Sequence, residues 1–124
     1  MAERVYTEKR LGGGVVKVTW TGLTQASADV GAWYELTGKG PRYGDKTVHV
    51  YGTFGVAGKL QMQGSNKDVP TDATNFVLED QLGNALEFTA VDGEVAMQSP
   101  LFVRPAITAG DANTDLICEM VIRR

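Results

Sequence analysis

Residues 102–124 read FVRPAITAGDANTDLICEMVIRR. In the second half, Leu116, Cys118, Met120 and Ile122 recur at period two on one side. Ile117, Glu119, Val121 and Arg123 recur on the other. Successive side chains of a strand point to opposite faces, so this is an antiparallel strand with an apolar inner face and a mixed outer one. Residues 102–108 form a second extended run. The segment between them, 109–114, is small and polar, with Gly110 and Asp111 at its centre, which is turn chemistry. The pattern predicts a β-hairpin of 102–108 and 115–123.

The same period extends back through the chain. In 47–54, Val48, Val50, Gly52 and Phe54 alternate with Thr47, His49, Tyr51 and Thr53. Gly55-Val56-Ala57-Gly58 turns the chain. Residues 59–65 then alternate Leu60, Met62 and Gly64 with Lys59, Gln61, Gln63 and Ser65, which predicts a second hairpin. Residues 15–23 form a strand with Val16, Val18 and Trp20 on one face. Short extended runs are expected at 32–36, 76–79, 86–90 and 94–98, with turns at 80–84 and 91–93. Residues 24–31 read as a polar loop with room for a short helix over 26–30. Eight or nine short strands without a long helical period predict an all-β fold. The architecture is an antiparallel β-sandwich or jelly-roll-like barrel. Leu116, Cys118, Met120, Ile122, Val48, Val50, Leu60 and Met62 are its expected inward residues.

Two stretches stand outside that pattern. Residues 1–10, MAERVYTEKR, are charged and aperiodic. With the Gly12-Gly13-Gly14 joint they read as an N-terminal arm over 1–14, ordered by a partner and dispensable for folding. The β domain then spans 15–124. Residues 37–46, TGKGPRYGDK, carry Lys39, Arg42 and Lys46, the densest basic cluster of the chain. They read as a solvated loop or as a contact patch for an acidic surface.

The 124 residues suit one domain, and a 43% hydrophobic content is enough for an ordinary core. The net charge of −3 supplies no general attraction to nucleic acid. One cysteine excludes an intrachain disulfide framework. No apolar run reaches the ~18 residues of a membrane span, and the N-terminus lacks a signal-peptide core, so no membrane partner and no export by that route are expected.

Each motif with chemical connotations has a structural reading beside the functional one. Gly12-Gly13-Gly14 lacks the preceding strand and following helix of a phosphate loop. GTFGVAGKL has five residues between Gly52 and Gly58, and Leu60 after Lys59, where a P-loop needs four residues and a Ser or Thr. D-x-N-x-D at 111–115 begins like a calcium loop, yet Leu116 and Ile122 occupy the positions of its Gly and Glu. His49, the sole histidine, shares a strand face with Tyr51. Cys118 alternates with core residues and lacks the electropositive, accessible setting of a reactive thiolate. Trp20, Trp33, Tyr34, Tyr43 and Tyr51 suit packing, or a stacking platform for sugars. No catalytic residue, metal ligand or cofactor site is expected, and the chain reads as a non-enzyme.

Five segments carry a family resemblance. They are W-T-G-L at 20–23, V-x-V-x-G-x-F-G at 48–55, L-Q-M-Q-G-S-N at 60–66 and L-x-D-x-x-G-N-x-L-x-F-T-A at 78–90. The fifth is F-V-R-P-A-I-T-A-G-D…T-D-L from 102, closing on Arg123-Arg124. With them the chain resembles small structural proteins of tailed bacteriophages, more narrowly the capsid decoration or cement proteins. The resemblance implies a virion protein made in the host cytoplasm. It would bind the major capsid protein on the outer surface of the assembled head, as a trimer, and stabilise the shell without catalysis. The residues spare for such contacts are Glu3, Arg4, Tyr6, Lys9 and Arg10 of the arm, with Lys39, Arg42 and Lys46. The G-S-N of 64–66 is also similar to discoidin-type carbohydrate-binding jelly rolls. That implies, as the alternative, a glycan- or receptor-binding module on the phage particle, although Lys67 and Asp68 follow here and the Trp of that pattern is missing.

Overall fold

Trp20 is fully buried where two β-sheets face each other, and its indole packs over Gly31. A Cβ on Gly31 would lie 2.5 Å from the Trp20 ring and 2.6 Å from Pro105, so only glycine permits this approach. The computed structural model describes residues 2–25, 28–36 and 45–123. Among them are twelve strands: β1 (Glu3–Arg4), β2 (Tyr6–Gly12), β3 (Val15–Thr24), β4 (Val30–Gly31), β5 (Tyr34–Glu35), β6 (Asp45–Thr53), β7 (Lys59–Ser65), β8 (Phe76–Val77), β9 (Glu87–Phe88), β10 (Asp92–Val95), β11 (Phe102–Ala109) and β12 (Asp115–Arg123).

One sheet has the order β10-β6-β12-β3-β2, antiparallel throughout. The other has the order β1-β4-β11-β7-β8, with β5 also on β11 and β9 also on β7. In this second sheet β1 and β4 run parallel. The expected all-β sandwich is therefore present. The three strands beyond the expected nine are β1 and β4, which are two residues each and too short to show a period, and β2, which lies in the stretch read as an arm. All eight expected inward residues are fully buried, joined by Val16, Val18, Trp20, Leu23, Leu78, Leu86, Phe88, Val103 and Ile107. Burial of each large apolar side chain contributes ~1.5–3 kcal/mol.

Both expected hairpins are corrected. β11 and β12 do not pair with each other: β11 lies between β4 and β7, β12 between β6 and β3. Likewise β6 and β7 belong to opposite sheets. Each connection is an arch from one sheet to the other, across the ~10 Å that separates facing sheets. Alternation reports which side chains face the core, and a hairpin and an arch present the same alternation. The two arches stack at one end of the sandwich. Asp111 Oδ2 accepts the Val56 N–H at 2.9 Å, and Thr114 Oγ1 donates to the Phe54 carbonyl at 2.7 Å.

The N-terminal arm is also corrected. β2 pairs with β3 from Tyr6↔Trp20 to Gly12↔Val15, and β1 pairs with β4. The chain changes sheets at Val5, bridging one side of the sandwich. The glycine joint is the tight turn of the β2–β3 hairpin, with Gly13 at φ 61 and Gly14 at φ 79, the left-handed values that favour glycine in two-residue loops. The short helix entertained over 26–30 is absent where described: Ala28 is in a turn and Val30 in β4, while 26–27 lie outside the described residues. The turn expected at 91–93 is the start of β10, the edge strand beside β6.

Candidate functional site

The proposed contact residues of the N-terminus divide by strand parity. Tyr6 pairs with Trp20 and faces inward, with ring centroids 6.1 Å from Trp20 and 5.2 Å from Tyr34, both edge-on. Glu8, on the same side, accepts the Tyr34 hydroxyl at 2.7 Å and lies 3.4 Å from Arg10. Arg4 Nε donates at 2.9 Å to Asp29, which is buried and also accepts the backbone N–H and hydroxyl of Thr24. Burial raises the Asp29 pKa, but the Thr24 and Arg4 hydrogen bonds outweigh it and hold the carboxyl below its ordinary value. Arg4 and Tyr6 thus fasten the arm to the sandwich. Lys9 faces outward beside Lys17, and among the described residues it has no ionic partner. Glu3 is exposed at a cleft on the opposite sheet.

Lys46 is corrected as a contact residue. β6 begins at Asp45, so Lys46 shares parity with Val48 and Val50 and is buried beneath Ser99, whose Oγ lies 2.6 Å from Nζ. Burial lowers its pKa. Lys39 and Arg42 lie outside the described residues, as does Tyr43. Of the predicted basic patch only Lys46 is among the described residues, and it is in the interior. Lys9 and Lys17 lie side by side on the outer face at the β2–β3 margin, while Arg10 is on the opposite side with Glu8.

The outer face of the five-stranded sheet carries a polar row, Thr7-Thr19-Glu119-His49, in register across four strands. Glu119 takes the Lys17 ammonium at 2.6 Å and the Tyr51 hydroxyl. The Lys17 contact is the largest cause holding the Glu119 carboxyl below its ordinary value, and it raises Lys17 in turn. Tyr51 is raised by its bond to Glu119. His49 stacks obliquely on Tyr51 at 4.9 Å. Lys17 and Glu119 match each other within the sheet, near an outer edge of β2 that no strand among the described residues pairs.

A second feature escaped the sequence reading. Arg104 lies on the outward side of β11 between Val103 and Pro105, yet only 4% of it is exposed. Its Nε donates to Gln63 at 2.9 Å, its Nη2 to Asp72 at 2.7 Å, and its guanidinium lies 4.3 Å from the Trp33 ring centre. Arg104, Asp72 and Trp33 line a cleft of about 350 Å³. The available signal was an arginine inside an apolar strand, which burial obliges to find partners. Cys118 is a core residue with Sγ 3.7 Å from Met62 Sδ, and burial pushes its thiol pKa up. Among the described residues no group of three or more His, Cys, Asp or Glu is arranged to hold a metal ion. Asp111, first of the D-x-N-x-D residues, instead accepts the backbone N–H groups of Val56 and Asn113.

No family model matches this chain, and no curated protein matches it. Among solved structures, it is similar in fold to the SPBc2 prophage-derived protein YomS. The TM-score is 0.60 at 8% sequence identity, and the match covers 94% of this chain and 100% of that one.

Proposed function

We propose that this protein is a non-enzymatic structural protein of a bacteriophage particle, a decoration protein that binds the outside of the assembled head and stabilises it. The observation that carries this reading is the end-to-end likeness in fold to a prophage-derived protein. It agrees with the family resemblance of the strand and turn motifs. The narrower role draws support from β2. Its seven residues are all exposed, it forms one margin of its sheet, and among the described residues no strand pairs with its outer backbone edge. Such an edge is a template for strand addition by another chain. The sequence Glu8-Lys9-Arg10 gives it charge for a selective contact, and the partner is the major capsid protein.

A ligand that binds only the assembled shell stabilises that shell by mass action. Specific interfaces bury ~1,200–2,000 Å² in total, more than one seven-residue edge provides. Assembly as a trimer supplies the remainder by holding three edges at high effective concentration. The test mixes purified protein with expanded heads assembled without it and sediments the heads. Wild-type protein should pellet with them. The Lys9→Glu/Arg10→Glu variant should stay largely in the supernatant while melting at the wild-type temperature. Wild-type protein that remains in the supernatant would sink the proposal.

A further inference from the structure

We infer that the cleft between β11, the 70–72 loop and the N-terminal strand is a binding site for a neutral saccharide ring. Its apolar wall is Trp33 with Val30 and Pro70, and its polar groups are Arg104, Asp72 and Glu3. A volume of about 350 Å³ lies within the ~300–1,000 Å³ range of small-molecule sites. A pyranose needs this combination. Its C–H faces pack on an aromatic surface, and its hydroxyls both donate and accept, so they need carboxylates and N–H donors together.

Arg104 is preorganised for the task. Its side chain is 5% exposed, locked by Gln63 and Asp72 and stacked on Trp33. Two of its five N–H donors are used in those two bonds. Asp72 gives Oδ1 to the arginine, and its side chain remains 55% exposed at the cleft. Charge decides against an anionic ligand. The Arg104 cation is already neutralised by Asp72 at 2.7 Å, and Glu3 adds a further negative charge at the rim. A phosphate or carboxylate would meet net repulsion, whereas a neutral polyol would not. The cleft is on the seven-stranded sheet and the Lys9–Arg10 edge on the other, so saccharide binding and head attachment are separable.

The test follows the two indole N–H signals by NMR while the full chain is titrated with methyl glycosides of glucose, galactose, mannose and N-acetylglucosamine. Inorganic phosphate is the control. Trp20 Nε1–H donates to the Ala32 carbonyl inside the sandwich and serves as the internal reference. At least one glycoside should shift the Trp33 signal saturably and leave Trp20 in place. Glu3→Gln, at an exposed position, should keep the fold and weaken binding roughly tenfold, the range for a hydrogen bond to a charged group. Asp72→Asn should weaken it further. Three results would overturn the inference: no saturable shift with any glycoside, a shift unaffected by Glu3→Gln and Asp72→Asn, or saturation by phosphate in place of the glycosides.

Discussion

Asp111 shows how one side chain can stand in for a stretch of secondary structure. One oxygen accepts the Val56 N–H, tying the β6–β7 arch to the β11–β12 arch, and the other accepts the Asn113 N–H within its own arch. Those bonds favour the carboxylate, so its folded pKa lies below the ordinary 3.8. A depressed carboxyl pKa contributes stability that is complete above the unfolded value and lost as pH falls through the folded one. Asp111→Asn should therefore lower Tm at neutral pH, and the difference from wild type should shrink well below pH 3.8. A deficit that is constant with pH would mean that the charge has no part. At the opposite extreme of polarity, Cys118 is fully buried with a raised thiol pKa. A thiol reagent should label it slowly in native buffer and quickly in denaturant, and fast native labelling would contradict the burial. Gly31→Ala drives a methyl into Trp20 and Pro105. The overpacking should cost about 1–3 kcal/mol in urea denaturation.

Strand β2 is the element on which sequence and structure differ most. Its residues have no apolar period because it is an edge strand, exposed on both sides over Lys9, Arg10 and Leu11. Pattern reading depends on a buried face, so it is blind to a strand whose pairing is its main tie to the fold. The order of the central strands was legible only in part for a related reason. The inward apolar residues Val48, Val50, Leu60, Met62, Leu116, Cys118, Met120 and Ile122 follow from parity, but parity cannot say whether neighbouring strands share a sheet. Lys46 and Arg104 mark the other limit: both are charged residues whose burial is set by partners distant in sequence, Ser99 and Asp72. Removing residues 2–10 should consequently lower Tm and expose Trp20, contrary to what an arm ordered by a partner implies. Tyr6→Ala alone should remove about 0.5–1.5 kcal/mol of aromatic contact beyond the area it covers. Lys9→Ala should leave Tm unchanged. Equal Tm values for the deletion and the full chain would show that β2 contributes no stability.

At the scale of the molecule, the two arches and the sheet change at Val5 make each sheet depend on the other. β12, the last strand in sequence, is the centre of its sheet and pairs with β6 and β3. β11, joined to it by an arch, is the centre of the other sheet. Neither sheet can assemble from a contiguous piece of chain, so secondary structure and core must form together. Loop closure must precede most of the rewarding contacts, which places folding in the millisecond-to-second range of sandwich proteins. The two tryptophans allow the cooperativity to be measured. Trp20 is on β3 of the five-stranded sheet, and Trp33 stacks against Arg104 on β11 of the seven-stranded one. Trp20→Phe and Trp33→Phe variants each leave a single indole, Trp33 against Arg104 of the seven-stranded sheet or Trp20 in the core between the sheets. Within either variant, the fluorescence transition in urea should superimpose on the far-UV circular dichroism transition, the mark of two-state unfolding. A fluorescence midpoint displaced from the dichroism midpoint would show that one sheet survives without the other, which the strand order forbids.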